Sequence, residues 1–165
     1  MEKLVIAWDL DGTLIDSSHR ALVNGEFSLD FWQKMATPSN IMKDKLLPLY
    51  EVFQEFQKTG FTQICVTARV LNQGDFEFFK KHNMNFSLFL QREDSLELDE
   101  VLKTKRLKDF FEKEGRLPFQ AYDDKPKNLE VFDKWGFRTF NALYLNEVLK
   151  KDSHKEILFK PKDFS

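Results

Sequence analysis

Apolar residues run along the chain in two alternating rhythms. Leu4-Val5-Ile6-Ala7-Trp8 is an unbroken apolar run with β-branched members, stopped by Asp9. Such a run reads as a strand buried on both faces, as in a parallel sheet. Phe61 to Val66 repeats the theme after Gly60, which reads as the C-cap of a preceding helix. Asn85 to Leu90, Pro118 to Tyr122 and Phe137 to Ala142 are further strand candidates. Between them the period changes. Leu46, Leu49, Tyr50, Phe53 and Phe56 follow i, i+3, i+4 spacing, one apolar face of a helix. A second helix carries Phe76 and Phe79 behind Asp75 as its N-cap, a third covers Val101 to Glu114, and a fourth runs from Pro126 to Trp135 with proline in its first turn. Strands alternating with helices predict an α/β fold: one parallel sheet flanked by helices, joined by right-handed crossovers.

Two regions break the rhythm. Residues 17–43 carry no strand signal and three turn-formers, Gly25, Pro38 and Asn40, and read as a small insert over the carboxyl edge of the sheet. Residues 150–165 form a charged segment with one apolar run, Ile157-Leu158-Phe159, which reads as an edge strand or a tail. The length of 165 residues suits a single domain spanning 1–165, large enough to bury a core. With 18 Phe, that core is bulky and the chain is not disordered. A net charge of -2 excludes a broad cationic nucleic-acid wrapper, though not local positive patches. One cysteine, Cys65, in an apolar run excludes a disulfide framework and a cysteine zinc site and reads as core. Met1-Glu2-Lys3 leads straight into the first strand without a leader, and no run is long enough to span a membrane, so the expected location is the cytoplasm.

The chemistry sits at strand ends. The first strand closes on Asp9-Leu10-Asp11-Gly12-Thr13-Leu14. Ligands of open α/β sheets bind outside the carboxyl ends of the strands, so both carboxylates stand where a site belongs, and Gly12 permits the turn between them. Loop chemistry alone also places Asp and Gly there. A calcium loop fits poorly, because Arg20 stands where its twelfth-position Glu is required. Other strand ends supply Val66-Thr67-Ala68-Arg69 and Tyr122-Asp123-Asp124, and the helix between the third and fourth strands starts near Asp99 and carries Lys103. Acids gathered from separate strands repel unless a cation sits among them. Hard oxygen ligands suit Mg²⁺, and the metal in turn attracts phosphate.

This set, in this order, resembles the haloacid dehalogenase (HAD) superfamily of phosphotransferases: Asp9-x-Asp11-Gly12-Thr13, then Thr67, a lysine near 103, then Asp123-Asp124. A closer resemblance is to the 3′-phosphatase domain of bacteriophage polynucleotide kinase-phosphatases. It rests on Arg20 nine residues after Asp11, Arg69 two after Thr67, Asp99 four before Lys103, and Ala121 to Pro126 leading into Val131-Phe132 and Trp135-Gly136-Phe137. Trp8 stands where that family has a smaller aromatic, Ala68 where glycine is common, and Lys105 competes with Lys103 for the lysine role. No G-x-x-x-x-G-K-[ST] loop occurs, so no kinase half is expected.

The resemblance implies roles. Asp9 attacks phosphorus and forms an aspartyl-phosphate; Asp11 serves as acid and then base. Mg²⁺ is held by Asp9, Asp123 and Asp11, the last through its backbone carbonyl. Thr67 and Lys103 hold phosphate oxygens, Arg20 and Arg69 take the leaving side or a second phosphate, and Asp124, Asp99 and Thr13 support the set. His19, His82 and His154 read as solvated, Lys105-Arg106-Lys108 as a solvated helix face with a polynucleotide track as the rival reading, and Trp32 as packing with base stacking as the rival reading. A small insert leaves the site open, which favours a polynucleotide 3′-phosphatase acting on phosphorylated nucleic-acid ends. The alternative is a nucleotidase or small-molecule phosphatase using the insert as a lid. A receiver domain also uses an Asp acceptor with Thr, Lys and an acid pair, but it places the acid pair first. No pattern in the chain sets an oligomeric state.

Overall fold

A computed structural model of the chain describes residues 4–20, 28–92 and 99–151. Its elements in chain order are β1 (Leu4–Trp8), β2 (Ile15–Asp16), a 3-10 turn (Ser18–Arg20), α1 (Leu29–Met35), α2 (Pro38–Ile41), β3 (Lys45–Leu46), α3 (Leu49–Lys58), β4 (Thr62–Val66), α4 (Gln73–Lys81), β5 (Leu88–Leu90), α5 (Asp99–Glu114), β6 (Leu117–Asp123), α6 (Pro126–Lys134), β7 (Arg138–Asn141) and α7 (Ala142–Lys151).

The sheet runs β5-β4-β1-β6-β7, with every neighbouring pair parallel. After β1 the chain winds outward through β4 to β5, then returns to the far side of β1 for β6 and β7. The strand order therefore reverses beside β1, the kind of switch point where doubly wound sheets bind ligands. Both faces are covered, as the continuous apolar strands predict. Ile6, Trp8, Cys65 and Tyr122 pack with Phe53 of α3 and Phe78 and Phe79 of α4. On the other face Val5, Ala7, Ile64 and Ala121 pack with Leu107 and Phe110 of α5 and Phe132 of α6.

The last row of the sheet fixes the site. Trp8 is registered with Cys65 on one side and Tyr122 on the other, so the residues that follow each strand emerge side by side. Trp8 is fully buried, stacks on Tyr122 at 4.2 Å between ring centres and meets Phe53 edge-on. Its indole Nε1 donates to Gln63 Oε1 at 2.7 Å. The large aromatic before Asp9 is thus built into the sheet.

The insert has more structure than its sequence suggests. β2 and β3 pair antiparallel at its base, and α1 and α2 lie between them. α1 escapes the pattern because its seven residues are too few to show a periodicity; Ser28 caps it by accepting the Phe31 N–H. α4 begins at Asn72, not Asp75: Asn72 accepts the Gly74 and Asp75 amides, and the Asp75 carboxylate accepts the Asn72 N–H, a reciprocal capping box. α7 was not expected; Asn146 on it donates to the Thr13 carbonyl at 3.0 Å and accepts the Leu49 N–H at 2.9 Å, tying the last helix to the loop after β1. The edge strand expected at Ile157-Leu158-Phe159 lies outside the described residues, as does His154.

Trp8→Phe should destabilise the fold by about 1–3 kcal/mol, because it leaves the Gln63 carbonyl buried without its donor. Urea denaturation checks this.

Candidate active site

Asp9 leaves β1 at the carboxyl edge, and its N–H continues the ladder to the Tyr122 carbonyl at 3.0 Å. Asp123 ends β6 and is fully buried. Between them stands Lys103, 1% exposed, its Nζ donating to Asp9 Oδ1 at 2.8 Å and to Asp123 Oδ2 at 2.6 Å. Lys103 points inward because it shares the buried stripe of α5 with Leu107 and Phe110. Lys105 lies on the exposed side of that helix, so of the two lysines it is Lys103 that the structure brings to the acids. Thr13 Oγ1 donates to Asp9 Oδ2 at 3.3 Å. Asp123 Oδ1 accepts from the Lys125 N–H at 3.0 Å and from Asn128 Nδ2 at 3.2 Å.

Gly12 takes φ +79, and any side chain there would collide with the Asp124 carboxylate. The close approach brings Asp124 to the other two acids: carboxylate oxygens of Asp9, Asp123 and Asp124 all lie within 4.8 Å of one another. Burial, then the charges of Asp123 and Asp124, push the Asp9 carboxyl well above its ordinary range against the opposing pull of Lys103. Burial and Asp123 also raise Asp124. Burial works against the Lys103 ammonium, but Asp9 and Asp123 outweigh it and keep it protonated. Three carboxylates thus face one ammonium, and Asp124 Oδ1 is buried without a hydrogen-bond partner. Hard oxygens with excess negative charge and an orphaned lone pair fit a divalent ion such as Mg²⁺. Asp124 joins this cluster directly, whereas the sequence gives it only a supporting place.

The Asp11 side chain turns to a second cluster. Arg69 holds it through Nε at 2.8 Å and Nη2 at 2.5 Å, and Ser17 Oγ donates at 2.5 Å. Burial alone would raise the Asp11 carboxyl; Arg69 and the Ser17 hydrogen bond overcome it and hold it below its ordinary range. Arg69 also donates through Nη1 to Asp75 at 2.7 Å, so one carboxylate both closes the α4 capping box and anchors the guanidinium. Thr67 is buried at the end of β4, its Oγ1 accepting the Arg69 N–H at 3.0 Å. Arg20 is buried in a two-point pair with Asp44 at 3.0 and 2.9 Å. His19 is not simply solvated: its Nε2 lies 2.7 Å from Asp44.

The structure therefore gathers Asp9, Thr13, Lys103, Asp123 and Asp124 in one cluster and Asp11, Arg69 and Arg20 in its neighbour, with Thr67 bonded to Arg69. The side chain of Asp99 lies outside the described part of the chain. Asp44, Asp75, Asn128 and Asn146 escape sequence reasoning; only the spacing of Asn72 and Asp75, a capping-box signature, carried a readable signal.

A carboxyl raised on folding costs stability as pH climbs past the ordinary carboxylate range, most fully above the raised value. Asp124→Asn should therefore stabilise the metal-free protein at neutral pH and do so less near pH 4. Mg²⁺ should raise the melting temperature of the unsubstituted protein and affect the variant much less. Thermal melts with Mg²⁺ or a chelator at both pH values measure this.

The family described as Bacteriophage T5 5'-deoxynucleotidase matches residues 1–158. The 5'-deoxynucleotidase of Escherichia phage T5 is 28% identical over 171 aligned positions, which cover 88% of this chain and 69% of that protein. Among solved structures, a chain of the Pnkp1/Rnl/Hen1 RNA repair complex superposes with a TM-score of 0.60 at 21% identity over 85% of this chain. This chain spans only 42% of that larger one. A haloacid dehalogenase-like hydrolase from Streptococcus pneumoniae superposes with a TM-score of 0.61 at 13% identity, covering 89% of this chain and 97% of its own. The fold is that of the haloacid dehalogenase hydrolases, as the motif order implies. The protein is a phosphatase-type hydrolase of that fold, and it belongs to the bacteriophage T5 5'-deoxynucleotidase family.

Proposed function

We propose that the chain is a Mg²⁺-dependent phosphomonoesterase working through an aspartyl-phosphate on Asp9, with deoxynucleoside 5′-monophosphates as its substrate class. The observation that carries the chemistry is the buried Asp9–Lys103–Asp123 arrangement, with Asp124 beside it. The near-complete family match supports the nucleotide substrate.

Lys103 holds Asp9 Oδ1, and Asp9 Oδ2, which accepts from the Thr13 hydroxyl at 3.3 Å, is the oxygen offered to phosphorus. Burial raises the Asp9 carboxyl, and Lys103 favours the ionised form that attacks phosphorus. In the first half-reaction an Asp9 oxygen bonds to phosphorus, the ester P–O bond breaks, and the leaving oxygen takes a proton from Asp11, which must first give up its two-point pair with Arg69 to become protonated. In the second, water gives a proton to Asp11 and its oxygen to phosphorus, releasing inorganic phosphate and free Asp9. Lys103 spends two of its three N–H donors on Asp9 and Asp123, leaving one for a phosphate oxygen. Thr67 contributes its hydroxyl beside it. Asp9, Asp123 and Asp124, with the Asp11 carbonyl, would hold Mg²⁺, which supplies positive charge where the phosphoryl oxygens gain negative charge. Residues 17–43 act as a small cap-like insert in a single domain.

A second reading, a polynucleotide 3′-phosphatase, has the fold likeness to the RNA repair chain and the motif resemblance behind it. Turnover with Mg²⁺ on deoxynucleoside 5′-monophosphates against a 3′-phosphorylated oligonucleotide separates the two. The nucleotide reading expects kcat/KM about tenfold or more in favour of the monophosphate, and the reverse ratio overturns it. Asp9→Asn should lower kcat by about a thousandfold or more on either substrate while the protein still folds.

A further inference from the structure

Beyond the Asp11–Arg69 pair lies a cleft of about 120 Å³. Trp32, Ala36 and Arg20 line it from the insert, and Arg69, Val70 and Asn72 from the loop after β4. Two guanidiniums beside a phosphatase site suggest a pocket for a second phosphate, but the charges oppose that reading. Arg69 is bonded to Asp11 and Asp75 and lies 3.4 Å from Asp44; Arg20 is bonded twice to Asp44. Two buried cations thus meet three carboxylates, and no positive charge is left over for another anion.

What remains suits a neutral, flat ligand. The Trp32 indole is half-buried, with the Arg20 guanidinium 4.4 Å from its ring centre. Ala36 and Val70 add apolar wall, and exposed Gln33 offers a carboxamide at the rim. Arg20, which lines the cleft, also keeps one buried donor, Nη1, without a hydrogen-bond partner. We propose that this cleft receives the nucleobase of a deoxynucleoside monophosphate, packed against Trp32, and that Trp32 determines the preference for nucleotides over base-free sugar phosphates. The inference deepens the nucleotide reading above and rests on it. Aromatic contacts of this kind are sequence-tolerant, since every base presents a flat apolar face.

Calorimetric titration of the Asp9→Asn protein with Mg²⁺ tests it, using deoxythymidine 5′-monophosphate and deoxyribose 5-phosphate as probes. The nucleotide should bind about tenfold or more tighter than the sugar phosphate. Adding Trp32→Ala should bring the two affinities within about twofold of each other, while Trp32→Phe should keep most of the difference. Equal affinities before Trp32 is changed would overturn the proposal. So would a base preference that survives Trp32→Ala, or an equal loss for both probes, which marks a structural role for the indole. The readout is binding, so it separates from the reaction: base-dependent binding without nucleotide turnover would sink the substrate reading and support the cleft. Nucleotide turnover with no base dependence would do the reverse.

Discussion

One buried ammonium organises this molecule. Lys103 lies between Asp9 and Asp123, carboxylates that come from different strands and would repel each other across the sheet edge. In such a dry place an unpaired charge is far costlier than a paired one, and removing one partner of a buried ion pair typically costs about 3–5 kcal/mol. The pair of acids is tolerable only because α5 brings Lys103 to them along its apolar stripe. The compensation is still incomplete, since Asp124 adds a third carboxylate with an orphaned oxygen. This imbalance is the observation behind the proposed divalent ion.

The second cluster is compensated separately. Arg69, Arg20, Asp11, Asp44 and Asp75 form a chain of paired charges running from the loop after β1 into the insert and the start of α4. The two clusters meet where Asp9 and Asp11 share one tight loop. There the Leu10 carbonyl accepts the Thr13, Leu14 and Ile15 amides, and Asn146 pins the Thr13 carbonyl from the far end of the chain. Asp9 and Asp11, the nucleophile and proton carrier of the proposed reaction, therefore stand on one rigid turn, each with its own charge partner. Positioning of this kind lowers a barrier without motion at the moment of reaction.

Much of this was legible in the chain. Continuous apolar runs give the buried strands, and the acids, Thr67 and Lys103 fall at strand ends or on a neighbouring helix in an order that few folds share. What escaped did so for physical reasons. Asp44 and Asn146 are single polar residues whose partners are 24 and 97 or more positions away, so no local spacing announces them. Asp75 has a local role, in the capping box, that conceals its long-range one with Arg69. The short helices of the insert are held by caps and by the Asn72 contact to the Ala36 carbonyl, with too few turns to show a period. The rank of Asp124 depends on the backbone of Gly12 passing close to it, which only three dimensions reveal.

The central claim is covalent: an oxygen of Asp9 captures phosphorus while Lys103 and a divalent ion hold the charge. Rapid acid quench of a single turnover, followed by proteolysis and mass spectrometry, reads it most directly. A phosphoryl group on the peptide containing Asp9, formed with Mg²⁺ and lost with a chelator, is the predicted result. Released phosphate with no labelled enzyme at any quench time, or a label on another residue, would contradict the account.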